Sequence, residues 1–305
     1  SQTYKFREVD VKENPVPDSI TCLVVPGPTE VFSDWELYQI DQFLMKGKSL
    51  FLVLDAFNEI MPDQQMMAYG AGPTYTPIST GLEKLLSHWG VGIGESYVLD
   101  EECFTQRIPA EMGGGESRIW FAPMIQNRNI DKSGRFMENI KGLVAYKISP
   151  ITVDAKRMAE TGLEGRALFR SSERSWEMKA PINLDPRRIS PPDSSDEKKS
   201  AILAYLMEGR FPSYFAGKSI PEKTPDQEAS GENDASGGAT GSETGKNPDA
   251  DLARIEGSDG FIPKGKPGKI FIMTSSEMIK DTILEGDGRS PNDILVQNVM
   301  DYLNN

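Results

Sequence analysis

At 305 residues the chain is long enough to bury a sizeable core, as one large domain or two smaller ones. Its 46 acidic residues against 33 basic ones leave a net charge of −13 with no concentrated basic patch, which argues against a nucleic-acid partner and mainly serves solubility. No run is apolar over the length that spans a bilayer, since the longest, Leu50 to Phe57, is broken by Asp55, and no signal peptide opens the chain.

The two cysteines, Cys22 and Cys103, are too few for a disulfide framework and match no zinc spacing. A single bridge between them is open, with a buried free thiol at Cys22 the favoured state. The first residue is Ser1 rather than methionine, as expected of an excised segment.

In chain order, Thr3 to Val11 alternates aromatic and valine side chains with polar ones, a strand pattern. Ile20 to Asp55 then predicts a βαβ unit: ITCLVVP, a polar break, SDWELYQIDQFLMKG and SLFLVLD. Ser33 is placed to cap the helix with Glu36 as its capping-box partner, and Phe32 to staple onto Leu37. Leu37, Ile40, Phe43 and Leu44 form the buried stripe, and Gly47 closes the helix. LFLVL is apolar on both faces, which predicts a central parallel strand with helices on each side.

The segment FNEIMPDQQMMAYGAGPTYTPI, from Phe57, is a long loop or conceals a short helix. Its methionines, Met61, Met66 and Met67, suit core gap-filling more often than a contact surface. Thr80, with Glu83, opens a second helix that presents Leu82, Leu85, Leu86 and Trp89 and stops at Gly90. ESYVLDEE, RIWFAP, LVAYKI, SPITVDA, ALFRSS and SWEMKA predict successive strands, so a strand-rich subdomain is expected near residues 105–200. Residues 221–266 are rich in acid, Gly and Ser and poor in large apolar side chains, so a disordered acidic linker is expected. As a coil its ends would lie about 35–40 Å apart or less, which lets residues 1–220 and 267–305 form one α/β domain. KIFIMT resumes the buried-strand pattern, and Ser290 with Pro291 opens a last helix carrying Leu295, Val299, Tyr302 and Leu303 on one face.

Catalytic chemistry finds little support. The sole histidine, His88, sits at the edge of a helix stripe, where a surface or core-edge role is commoner than that of a general base. Cys103 stands among acidic neighbours that raise a thiol pKa. GPTE and GGGES lack the spacings that cradle phosphate, and LEGDGRSPND fits a loop before a helix better than a calcium loop. No catalytic residue, metal site or cofactor is therefore assigned. In an open α/β sheet, ligands settle beyond the carboxyl ends of the strands. That places Asp55, Asn58, Ser275 and Ser276 as candidate ligand-binding residues, beside the commoner alternative that they bond loop amides or cap helices. The crevice beyond Pro26 and Asp55 is expected to be closed by the loop after Asp55. A carbohydrate- or peptide-binding reading rests on Phe211, Tyr214 and Phe215 in GRFPSYF, residues that are more often buried.

CLVVPGPTEVFSDWELYQIDQFLMKGKSLFLVLD, GLEKLLSHWGVGIGESYVLDEE, SSERSWEM, AILAYLMEGRFPSYFAGK and NDILVQNVMDYL together resemble the GldG-type auxiliary proteins of ABC transporters, first associated with gliding motility. The resemblance implies a mostly parallel, flavodoxin- or amidotransferase-like α/β sheet flanked by helices, related to the GIFT domain of intraflagellar transport proteins. It further implies a non-ATPase, non-enzymatic ectodomain on the periplasmic side of the cell membrane, tethered by transmembrane helices that this sequence does not contain. The implied partners are the permease and ATPase subunits of an ABC-2-type system. An enzyme on an amidotransferase-like scaffold is the disfavoured alternative, resting on fold analogy alone. TSSE after the last strand and the acidic linker depart from the family pattern.

Overall fold

A computed structural model describes residues 4–223, 260–280 and 290–305. Strand β1 (Cys22–Pro26), helix α1 (Asp34–Met45) and strand β2 (Ser49–Val53) form a parallel crossover in which Cys22 pairs with Ser49 and Pro26 with Val53. The helix starts where its sequence says it should. The Ser33 hydroxyl accepts from the Glu36 amide, while the Glu36 carboxylate accepts from the Ser33 amide at 2.7 Å, so two helix-end donors are satisfied reciprocally. Leu37, Ile40, Phe43 and Leu44 are all buried, each contributing about 1.5–3 kcal/mol of apolar transfer.

The chain continues through β3 (Phe57–Ile60), α2 (Gln64–Ala68), β4 (Thr74–Pro77), α3 (Leu82–Trp89), β5 (Val91–Ile93), β6 (Ser96–Asp100), β7 (Cys103–Arg107), β8 (Glu116–Gln126) and β9 (Gly142–Val144). It then adds β10 (Ile151–Val153), α4 (Ala155–Thr161), β11 (Glu164–Arg170), β12 (Ser175–Lys179), β13 (Ile202–Pro212), β14 (Lys264–Met273) and a last helix, α5 (Pro291–Asn304). Ser290 and Asp293 form the capping box of α5, with Pro291 at its first position, where a missing amide hydrogen costs nothing.

The main sheet has seven strands in the order β1-β2-β14-β13-β10-β5, with β11 also paired to β13. Strand β2 is buried throughout, and alternation divides its side chains between two cores. Leu50 and Leu52 join Ile270 and Ile272 beneath α1 and α3, whereas Phe51 and Val53 join Phe271, Met273 and the α5 residues Leu295, Val299 and Leu303. The rings of Phe51 and Phe271 stack at 4.9 Å. A third, smaller core gathers Phe57, Tyr97, Leu99, Phe121 and Trp176 from β3, β6, β8 and β12.

Several expectations are corrected. The sheet is mixed rather than mostly parallel: β14 pairs in parallel with β2, but β13 runs antiparallel to β14, β11 and β10, and β10 runs antiparallel to β5. A doubly buried strand has the same apolar pattern whichever way it runs, so direction is invisible in the sequence. Tyr4 to Val11 is not a strand; Phe6 is exposed, and alternation without a sheet edge to join makes none. Thr80 lies one residue before the cap of α3. Gly81 occupies the cap in the left-handed region, while Glu83 accepts from the Thr80 and Gly81 amides. Met61, Met66 and Met67 are exposed rather than core.

The residues expected to form a strand-rich middle are divided: β10 and β11 join the main sheet, while β7-β8-β9 and β6-β12 form small sheets of their own. At the far end of the expected linker, Phe261 and Ile262 pack on the core and β14 starts at Lys264. Residues 224–259, and the loop 281–289 that includes most of LEGDGRSPND, lie outside the described residues.

Candidate functional site

Strands β1, β2 and β14 all end at one edge, and their ladder carries on past the last paired residues. The Gly27 amide donates to the Val53 carbonyl at 2.8 Å and the Leu54 amide to the Met273 carbonyl at 2.9 Å. The three chains then diverge around Asp55. Its Oδ1 accepts from the Ser276 amide at 2.7 Å, and its Oδ2 faces Gly27, where an added Cβ would stand 3.3 Å from it. Gly27 has φ +61°, and the same Cβ would meet Ser276 Cβ at 2.8 Å, so the position requires glycine on both counts.

Beyond this junction lies a cleft of about 410 Å³, within the range of about 300–1,000 Å³ usual for small-molecule sites. Asp55, Asn58 and Ser276 line it together, as three of the four residues placed there from sequence. Ser275 does not. It is fully buried, and its hydroxyl donates to the Tyr146 carbonyl at 2.5 Å, because the residue after a strand end points inward when the next one points out. The loop after Asp55 does not close the cleft, contrary to expectation. It folds back as the β3-β4 hairpin, with Phe57 paired to Pro77 and Ile60 to Thr74, and so becomes a wall.

The hairpin brings in residues that the sequence did not single out. Glu59 pairs with Lys147, and the Tyr75 hydroxyl donates to Glu59 Oε1 at 2.8 Å. Burial pushes the Glu59 carboxyl up, but Lys147 and Tyr75 together outweigh it and hold the group below its ordinary value. Lys147 has φ +49°, the one non-glycine in the left-handed region among the described residues. Such a conformation costs about 1–2 kcal/mol and persists only where the surroundings enforce it. Here the Lys147 amide donates to the Phe121 carbonyl at 2.9 Å, while the side chain is drawn to Glu59.

Lys280 pairs with Glu277 at 2.7 Å across the opposite side of the cleft. Tyr97, on β6, lines the floor between them, with Phe57 packed at 5.1 Å between ring centroids and Tyr75 edge-on at 5.9 Å. Burial first, then the charges of Asp55, Glu59 and Glu277, raise the Tyr97 pKa far above its ordinary value, so the group is a neutral phenol at physiological pH.

The other sequence candidates fall elsewhere. His88 is half-buried against α4: its Nδ1 lies 3.1 Å from the Arg157 guanidinium, its ring meets Tyr214 edge-on, and burial followed by Arg157 and Lys218 lowers its pKa. Both thiols are free. Burial pushes Cys22 up to about 12 and also raises Cys103, which leaves neither an activated nucleophile. Phe211 and Phe215 are buried and Tyr214 is packed against the core, so GRFPSYF offers no exposed aromatic groove. Among the described residues no group of three or more His, Cys, Asp or Glu side chains is placed to hold a metal ion, and no helix is long and apolar enough to cross a membrane.

A family model described as an ABC-type uncharacterized transport system matches residues 1–303, nearly the whole chain. The chain belongs to this family. The family is that of auxiliary components of ABC-type transport systems. An uncharacterized protein of Borreliella burgdorferi (strain ATCC 35210 / DSM 4680 / CIP 102532 / B31) is 25% identical over 223 residues, which are 69% of this chain and 40% of that protein. The ABC transport auxiliary chain thus spans well under half of that relative. Among solved structures it is similar to the mmIFT52 N-terminal domain, at 9% identity and a TM-score of 0.45, over 94% of this chain and 79% of that one.

Proposed function

We propose that this auxiliary chain is the extracytoplasmic, periplasmic-side domain of an ABC-2-type system of the GldG kind, acting by protein or substrate contact and not by catalysis. Transmembrane helices of the same polypeptide would tether it, and the permease and ATPase subunits are its partners. The observation that carries the reading is the family match over residues 1–303. The extended resemblance of its first βαβ unit, its second helix and its last helix to GldG-type proteins supports the subtype. The parallel trio β1-β2-β14, with helices on both faces, supports a flavodoxin- or amidotransferase-like ancestry for that half of the sheet.

A non-catalytic role is supported by the chemistry at the strand ends. Asp55 is held by a backbone amide, Glu59 and Glu277 are matched by lysines, and the one histidine is engaged by Arg157 on another part of the surface. An enzyme of the amidotransferase kind would place a nucleophile at a strained strand-to-helix turn. Here the corresponding turns carry Gly27, Asp55 and Ser276, and the one histidine, His88, packs against Arg157 and Tyr214 and does not reach Ser276 to activate its hydroxyl. We assign Asp55, Asn58 and Ser276 to the contact surface for a transported or regulatory ligand, in the cleft they line. The test is to express the full-length protein with an affinity tag in its own cells and solubilise the membranes. Co-purification of a permease and an ATPase, with the tagged domain protected from a cytoplasmic protease, is the expected result. A freely soluble cytosolic protein without these partners would refute the reading.

A further inference from the structure

In the cleft the charges cancel in pairs except at one place. Glu59 is matched by Lys147, and Glu277 by Lys280. Asp55 forms no ion pair among the described residues, although the Lys280 ammonium, paired with Glu277, acts on it through space; one of its oxygens takes the Ser276 amide and the other faces Gly27. Tyr97 is only 4% exposed, yet its hydroxyl has no hydrogen-bond partner among the described residues and reaches the cleft amid the carboxylates of Asp55, Glu59 and Glu277. A tyrosine that is buried except where its hydroxyl meets the cleft, beside a carboxylate with no ion pair, favours a ligand group complementary to both. That group must donate several hydrogen bonds and carry positive charge. A carboxylate or phosphate would be repelled by Asp55, and a neutral polyol would gain no charge-assisted bond there. The Phe57 and Tyr97 rings give the cleft an apolar, cation-tolerant surface.

We infer that the cleft binds a protonated primary amine between the Asp55 carboxylate and the Tyr97 hydroxyl. This deepens the substrate-contact reading above by giving its ligand a chemical class. A free amino acid and the amino terminus of a peptide share that chemistry, and the volume of about 410 Å³ accommodates either.

Isothermal titration of the folded chain with trialanine, N-acetyl-trialanine and free alanine tests the assignment. Trialanine should bind saturably, and acetylation of its amine should weaken binding by about tenfold or more, the loss expected when a charge-assisted bond is removed. Asp55→Asn keeps an oxygen for the Ser276 amide and should lose about tenfold or more, while Tyr97→Phe should lose about threefold. Free alanine binding as well as trialanine would assign the site to small zwitterions; trialanine alone would assign it to peptide ends. No saturation by either amine up to about 10 mM, or equal binding of the acetylated peptide, would overturn the proposal. The acetylation comparison uses the unaltered chain, so it decides the matter even if a variant misfolds. An intact transporter complex with no amine binding sinks this inference alone, whereas amine binding without the complex sinks the broader reading.

Discussion

The Ser276 amide donates to Asp55 Oδ1 at 2.7 Å, joining the ends of two parallel neighbours, β2 and β14, whose bonded residues are 221 positions apart in sequence. The bond fixes where both loops leave the sheet and so sets the mouth of the cleft. Asp55→Ala leaves the half-buried amide without its acceptor and should cost about 1–3 kcal/mol, whereas Asp55→Asn should cost less than about 1 kcal/mol. Urea unfolding midpoints of the two variants measure the difference, and equal losses would show that the bond contributes nothing.

Gly27→Ala tests the packing of that junction. A Cβ at φ +61° and 2.8 Å from Ser276 Cβ meets a carbon fixed directly to another residue's backbone rather than the free end of a long side chain, so it cannot be cheaply displaced. A loss of about 1–3 kcal/mol is expected. Ser276→Gly in the same chain should recover the contact part of the loss and leave the backbone part. Additive losses in the double variant would contradict the contact.

Lys147 offers a separate test of stored strain. Lys147→Gly relieves a left-handed conformation worth about 1–2 kcal/mol but removes the partner of Glu59, while Lys147→Met removes the partner and keeps the strain. The glycine variant should therefore be the more stable of the two by about 1 kcal/mol, despite glycine's entropic cost. Thermal unfolding of the pair settles the order, and a methionine variant more stable than the glycine one would mean that the backbone is unstrained.

What was legible in the sequence is what local chemistry dictates. Ser33 with Glu36 and Ser290 with Pro291 announce their helices because a helix start is signalled by a few consecutive residues, and the buried run of β2 is visible because no polar side chain interrupts LFLV. Asp55, Asn58 and Ser276 were legible by position, since ligand crevices follow strand ends. Tyr97, Glu59, Lys147 and Lys280 were not. They arrive from a floor strand, a hairpin wall, a turn after β9 and a short helical turn after β14, and only tertiary pairing makes them neighbours. The inward turn of Ser275 was equally hidden, because a shift of one residue at a strand end reverses a side chain.

Acid should destabilise the fold through Glu59. Its carboxyl is held below the ordinary value, near 4.5, so the contribution is fully present above that pH and is lost as the pH falls through the lower folded value. Urea midpoints measured from pH 7 downward should fall in that window. Glu59→Gln should start lower and show a flatter profile, and parallel profiles would remove Glu59 as the cause.

Asp41 should act with the opposite sign. It is fully buried on α1, where its oxygens accept from Ser213 Oγ at 2.7 Å, the Tyr214 amide at 2.9 Å and Gln42 Nε2 at 3.0 Å, tying the helix to the turn after β13. Burial raises its pKa despite those bonds, so the charged form costs stability at neutral pH and protonation relieves that cost as the pH falls through the raised folded value. Asp41→Asn removes the charge, keeps an oxygen for the Tyr214 amide and turns its NH₂ toward the Ser213 hydroxyl, which can rotate to accept, while Gln42 Nε2 gives up its bond to Oδ2 and keeps the Ile262 carbonyl. It should change neutral-pH stability by less than about 1 kcal/mol. Asp41→Ala leaves the Ser213 hydroxyl and the Tyr214 amide without their acceptor, while Gln42 Nε2 keeps the Ile262 carbonyl, and should cost about 2–5 kcal/mol. The deciding measurement is the difference between the unaltered chain and Asp41→Asn as a function of pH. The unaltered chain should gain on the variant toward acid, and a constant difference would show that the carboxyl titrates alike in the folded and unfolded states.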